Sequence, residues 1–195
     1  IIQEIKNKIE NIEITLNPYL LNYYRWQRAN VPIDISETKK LNKEIQVFLK
    51  DLVINKKQSG LKEKITFANF LSDKMLIVLA IREGLPYSIF KIIQNRAPFS
   101  QNDWAEVLDL SVKSLHRYHQ ANKRFKSIHS EKIIELAEVT ELGKDVFGDT
   151  DKFKLWLDTP NFSLGNLKPL ELLKDSYGKE MVISELTRIE HGILS

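Results

Sequence analysis

The chain has 195 residues, 43% of them hydrophobic and 28% charged, with a net charge of +3; this is the balance of a folded globular protein of one to three domains, not of a disordered one. The absence of cysteine excludes disulfides, a thiol nucleophile and cysteine-based zinc sites, and it suits the cytoplasm, where the chain is expected to act. The longest apolar run, Met75–Ile81, is too short to span a bilayer, no secretory signal pattern is visible, and seven glycines with six prolines favour helices over turns.

In chain order, Ile2, Ile5, Ile9, Ile12 and Leu16 recur at three- and four-residue steps, which predicts an amphipathic helix over residues 1–16. Asn17-Pro18 interrupts it. Tyr19, Tyr23, Tyr24 and Trp26 with Arg25 and Arg28 then form an aromatic, basic cluster. Such a cluster can stack on bases, but aromatics on a helix more often pack on neighbouring helices, and that reading is preferred. After Pro32, Ser36-Glu37 signals a helix start, and Leu41, Ile45, Phe48, Leu49 and Leu52 mark one apolar face. Residues 55–60 read as a loop and close an N-terminal helical extension, residues 1–60, whose expected use is self-association or bracing of the domain that follows.

A second domain, residues 61–149, opens with a helix predicted from Ser72-Asp73 to Gly84 and a shorter one after Pro86 that Pro98 ends. Residues 100–118, SQNDWAEVLDLSVKSLHRY, fit a helix-turn-helix. Ser100 caps the first helix, and Trp104, Ala105 and Leu108 face inward. Ala105 is small where the second helix must cross. Asp109-Leu110-Ser111 makes the turn, with Asp109 asked to take a left-handed conformation in place of the usual glycine. Leu115 and Tyr118 anchor the second helix. That leaves Ser111, Val112, Lys113, Ser114, His116, Arg117 and Gln120 for the major groove: Lys113 and Arg117 suit guanine, and Gln120 suits adenine. Lys123, Arg124 and Lys126 suit phosphates. Six Lys or Arg stand between residues 111 and 132 against the single acidic Glu131, so the modest global charge is concentrated here.

The last block, residues 150–195, alternates apolar clusters with turn chemistry. Phe153, Leu155, Trp156 and Leu157 end a helix that Pro160 stops near Thr159. Gly165-Asn166 suits a left-handed turn. Pro169 suits a first helical position, and Gly178 reads as the C-terminal cap of a short helix over residues 170–177. A final helix carries Met181, Val182, Leu186 and Ile189 and stops at Gly192, before the apolar tail Ile193-Leu194-Ser195.

The order Trp156-Leu157, Pro160-Asn161, Leu164-Gly165, Pro169-Leu170-Glu171-Leu172-Leu173, Gly178 and Ile189-Glu190-His191-Gly192 resembles the Xre/MbcA/ParS toxin-binding domain, which closes antitoxins paired with RES-domain toxins. One departure is Asn166 where that family usually has a second glycine. Residues 100–118 resemble the Xre-type DNA-binding half of the same antitoxins, and Phe147-Gly148-Asp149 lies at the family's junction, so the resemblance covers roughly residues 75–195. It implies a cognate RES toxin acting on NAD, with no NAD or other cofactor held by this chain.

These readings define an all-α protein: an N-terminal helical extension, a helix-turn-helix domain and a small helical toxin-binding domain. The expected toxin-binding residues are Leu186, Ile189, Glu190, His191, Gly192, Ile193, Leu194 and Ser195, because an apolar end that stands in water invites burial by a partner. Residues 150–195 alone are expected to retain part of the neutralisation. Expected partners are the toxin and operator DNA, within a homodimer or a larger hetero-oligomer and without a membrane. Nothing argues for catalysis: no P-loop, G-x-S-x-G or G-x-G-x-x-G occurs. His116 and His119 lie three apart but lack a cysteine or carboxylate partner for a metal. The rivals are a transcription regulator whose last block only dimerises, and an interaction protein that no longer binds DNA.

Overall fold

The computed structural model describes residues 39–40, 43–49, 66–121 and 123–193. The expectations for residues 1–38, the loop at 55–60, and Leu194 and Ser195 lie outside them. Among the described residues the fold is helical, without strands; two isolated β-bridges, Pro86 with Arg124 and Asn161 with Leu167, tie loops together. Besides helical residues at 43–49, the elements are α1 (Phe67–Ser72), α2 (Lys74–Glu83), α3 (Tyr87–Arg96), α4 (Gln101–Val107), α5 (Val112–Gln120), α6 (Ser127–Phe147), α7 (Thr150–Asp158), a 3-10 turn (Phe162–Leu164), α8 (Pro169–Leu172) and α9 (Ser176–Glu190).

Helix starts follow the capping chemistry of the sequence. The Asp73 carboxylate accepts from the N–H groups of Met75 and Leu76, and the Asp149 carboxylate from those of Asp151 and Lys152. Ser72 closes α1, a helix the sequence reading omits, and its hydroxyl donates to the Ala68 carbonyl.

The 21-residue α6 is the spine. Ile133, Ile134, Leu136, Ala137 and Val139 along it are buried in one apolar cluster. That cluster also takes Leu76, Leu79, Phe90 and Trp104 from the first half, and Phe153, Leu157, Val182 and Leu186 from the last block. It includes Ile45, Phe48 and Leu49, three of the five apolar positions expected on that helix face; the other two, Leu41 and Leu52, are not among the described residues.

Gly178 differs from expectation. It does not end a helix but lies in the first turn of α9, where its N–H donates to the Asp175 carboxylate at 2.7 Å. A Cβ there would collide with the Leu172 carbonyl, so the glycine serves close approach of α8 and α9. The face of α9 is also rotated relative to the reading: Val182, Glu185 and Leu186 are buried, whereas Met181 is exposed.

Candidate nucleic-acid and partner interfaces

The helix-turn-helix is built from local signals. Ser100 and Asp103 form a reciprocal capping box: the Asp103 N–H donates to Ser100 Oγ at 3.1 Å, and the Ser100 N–H to Asp103 Oδ2 at 2.7 Å. Burial of Asp103 opposes ionisation, but the Ser100 bonds and the Lys154 ammonium outweigh it and hold the carboxyl below its usual range. Trp104, Ala105 and Leu108 are buried as expected. Asp109 adopts φ 50°, the left-handed turn, and the Leu110 N–H closes it on the Ala105 carbonyl at 2.9 Å. Ser111 caps α5 by accepting from the Ser114 N–H at 3.0 Å.

Helix α5 is held from below. Leu115 is buried, and the Tyr118 ring stacks on Phe125 at 4.4 Å, 7° from parallel. Phe125 in turn meets Phe90 at 4.9 Å, and Phe90 meets Trp104 edge-on at 5.2 Å. This aromatic column fixes which face of α5 looks outward. On that face Val112, Lys113, His116, Arg117 and Gln120 are exposed and Ser114 is half-buried. Arg117 donates to Ser114 Oγ at 3.0 Å, and Gln120 Nε2 lies 3.2 Å from His116 Nε2. His119 packs on Tyr87 with ring centroids 5.0 Å apart. Among the described residues no group of three potential ligands could hold a metal ion.

Beyond α5, Lys123 and Lys126 are exposed. Arg124 is engaged elsewhere. Its guanidinium lies 3.6 Å from Glu83, within 3.5 Å of the Gly84 carbonyl and 5.4 Å from the centre of the Phe48 ring. That side chain braces the loop after α5 while remaining partly exposed.

The expected toxin-binding residues divide. Leu186 is fully buried in the core, where it seats α9. Ile189 is half-buried; Glu190, His191 and Gly192 are exposed. Gly192, at φ 69°, does not release the chain into solvent. It turns the chain back, and the N–H of Ile193 bonds the Arg188 carbonyl at 2.9 Å while that of Gly192 bonds Ile189 at 3.0 Å. The Ile193 side chain is still 55% exposed. Leu194 and Ser195 are not among the described residues.

Other exposed apolar side chains escape the spacing argument. Phe162 in the 3-10 turn and Tyr177 in the first turn of α9 are each 82% exposed, and Met181 stands one turn beyond Tyr177. Between the turn and α9 runs a shallow groove lined by Leu164, Tyr177, Met181 and Arg188. Asn161 satisfies the turn by accepting from the Ser163 N–H, so the turn does not depend on the aromatic at Phe162.

Comparison with known proteins follows the same division. The "Antitoxin Xre-like helix-turn-helix domain" matches residues 77–138, and the "Antitoxin Xre/MbcA/ParS C-terminal toxin-binding domain" matches residues 142–192. An antitoxin Xre of Photorhabdus laumondii is 32% identical over 116 residues, covering 59% of this chain and 78% of that protein. One from Yersinia enterocolitica is 28% identical over 121 residues, covering 62% and 82%. A chain in the crystal structure of the M. tuberculosis MbcT-MbcA toxin-antitoxin complex aligns with 54% of this chain and 94% of its own, at 21% identity and a TM-score of 0.47. The two domain matches and the relative at 32% identity agree with the capped helix-turn-helix and the Pro169–Gly192 block: this chain belongs to the Xre antitoxin family.

Proposed function

We propose that this chain neutralises a cognate RES-domain toxin, an enzyme acting on NAD, by covering its active-site cleft with the C-terminal block, and that it binds its own promoter through α5. The observation that carries the toxin half is the exposed apolar surface of that block, Phe162, Tyr177, Met181 and Ile193, inside the segment matched by the toxin-binding family. The residues proposed to meet the toxin are Ile189, Glu190, His191, Gly192 and Ile193 with the tail beyond, joined by Tyr177 and Met181. The DNA half is supported by the outward face of α5 and by Lys123 and Lys126. In this reading residues 61–149 handle DNA, residues 150–195 handle toxin, the protein is not itself an enzyme, and the pair works in the cytoplasm.

The test is co-expression with the product of the adjacent reading frame. Growth rescue, together with loss of NAD consumption when the purified chain is added, supports the reading. A variant carrying Tyr177→Asp and Met181→Asp should lose rescue while keeping its melting temperature. If rescue is unaffected, the occluding surface lies elsewhere. If the neighbour is harmless alone and the same variant converts a dimer to a monomer, the regulator with a dimerising block is the better account.

A further inference from the structure

We propose that Lys39, Lys40 and Lys43 form a second phosphate-binding strip that takes the backbone of duplex DNA beside the base pairs read by α5. This rests on the DNA-binding reading above and assigns the N-terminal extension a ligand.

The segment is fixed to the helix-turn-helix and not merely attached to it. Ile45, Phe48 and Leu49 are buried in the core, and the Phe48 ring lies under the Arg124 guanidinium, in the loop that leaves α5. One turn earlier, Lys40 and Glu44 line a cleft together with Tyr87, Lys91 and His119. His119 belongs to the last turn of α5. Lys40 and the end of the recognition helix therefore open onto one cleft, and Lys39 and Lys43 are the exposed lysines next to Lys40 along the chain.

Charge points to the same ligand. Lys39, Lys40 and Lys43 are exposed and make no ion pair among the described residues. Arg124, the cation that the spacing of the sequence would assign to phosphate, is paired with Glu83 and capped by Phe48. The extension thus sets the Phe48 ring under one cation and adds three exposed lysines, of which Lys40 borders the cleft at the end of α5. Exposed ammonium groups on flexible stems offer no fork for a base edge and no buried pocket for a small anion. They match a regularly charged polymer, whose affinity comes from counterion release.

The experiment uses the full chain and two fluorescein-labelled duplexes, one from the region upstream of its own reading frame and one of scrambled sequence, with binding followed by anisotropy across a KCl series. In the K39Q/K40Q/K43Q variant the slope of log Kd against log salt should become shallower by about 2–3, at ~0.9 per lost phosphate contact. Affinity should fall by the same factor on both duplexes, leaving their ratio unchanged, and K39R/K40R/K43R should keep the parent slope. A glutamine variant with the parent slope overturns the proposal, while loss of preference in K113A/R117A upholds the DNA reading independently. A glutamine variant that keeps the slope but loses toxin inhibition assigns the strip to an acidic protein surface and overturns it as well. If the parent itself shows no salt-dependent binding to either duplex, the DNA reading fails and this strip with it.

Discussion

Arg124, expected to meet phosphate, also braces the fold around it. Its contacts with Glu83, the Gly84 carbonyl and Phe48 are partly exposed, so its net contribution is small, about 0.5–1 kcal/mol for the cation over the ring. Arg124→Ala should lower the melting temperature slightly and leave the salt dependence of DNA binding nearly intact, whereas Lys123→Ala and Lys126→Ala should flatten it; a calorimetric scan and a salt titration separate the two. Gly178 makes a second case. Spacing assigns it to a helix end, but the contact with the Leu172 carbonyl is tertiary, and no local pattern reveals it. Gly178→Ala should force α8 and α9 apart and cost about 1–3 kcal/mol, read as a shift of the denaturation midpoint at constant m-value. His129 adds a pH dependence. Burial first, and then the Lys126 ammonium, lowers its pKa, against a smaller opposing pull from Asp109. The unfolded chain therefore binds the proton first. Stability should be complete above about pH 6.5 and decline as pH falls from there toward the lower folded value, and His129→Gln should reduce that slope in melts between pH 5 and 7.5.

At the scale of elements, the helix-turn-helix was legible almost residue by residue. Its signals are local: the Ser100–Asp103 box, left-handed Asp109, the Ser111 cap and the inward triad of Trp104, Ala105 and Leu108. Ala105→Leu should overpack the crossing of α4 and α5 at a cost of about 1–3 kcal/mol, visible as a lower melting temperature. The last block was legible only in part. Turn residues placed Thr159, Gly165-Asn166 and Pro169 correctly, with Asn166 at φ 59° as the departure from Gly-Gly requires. The phase of α9 was not, because Met181 and Val182 are adjacent and equally apolar; the packing of α6 and the 3-10 turn decides which of them is buried. The exposure of Tyr177 and Met181 was hidden for the same reason: apolar residues on a helix read as core until their neighbours in space are known.

For the whole molecule, the two family segments share one helix and one core. Lys179 on α9 reaches Glu138 on α6 at 3.2 Å, and Lys74 on α2 reaches the same carboxylate at 3.1 Å. Lys154 contacts Asp103 at 3.3 Å, and Lys174 contacts Glu106 at 2.7 Å, so the last block is also bridged to α4. Partly exposed pairs of this kind contribute little individually, about 0–1 kcal/mol; the shared apolar core carries the union. The expectation that residues 150–195 act alone changes accordingly. Removing α6 exposes Phe153, Val182 and Leu186, which are fully buried in the intact chain. The fragment 150–195 should give a weakly helical circular-dichroism spectrum and no inhibition of the toxin, whereas 127–195 should be helical and inhibit.

The tip of the Phe153 ring lies against Gly143, in the space a Cβ would occupy. That contact spans the boundary at which a designer would join a toxin-binding block from one antitoxin to the DNA-binding half of another. A chimaera spliced at Asp149 inherits its glycine from one parent and its aromatic from the other, and it tolerates only donors in which both are matched. Partner exchange within such proteins should therefore run through recombination upstream, inside or before α6, or through changes confined to the exposed groove, while the junction itself resists shuffling.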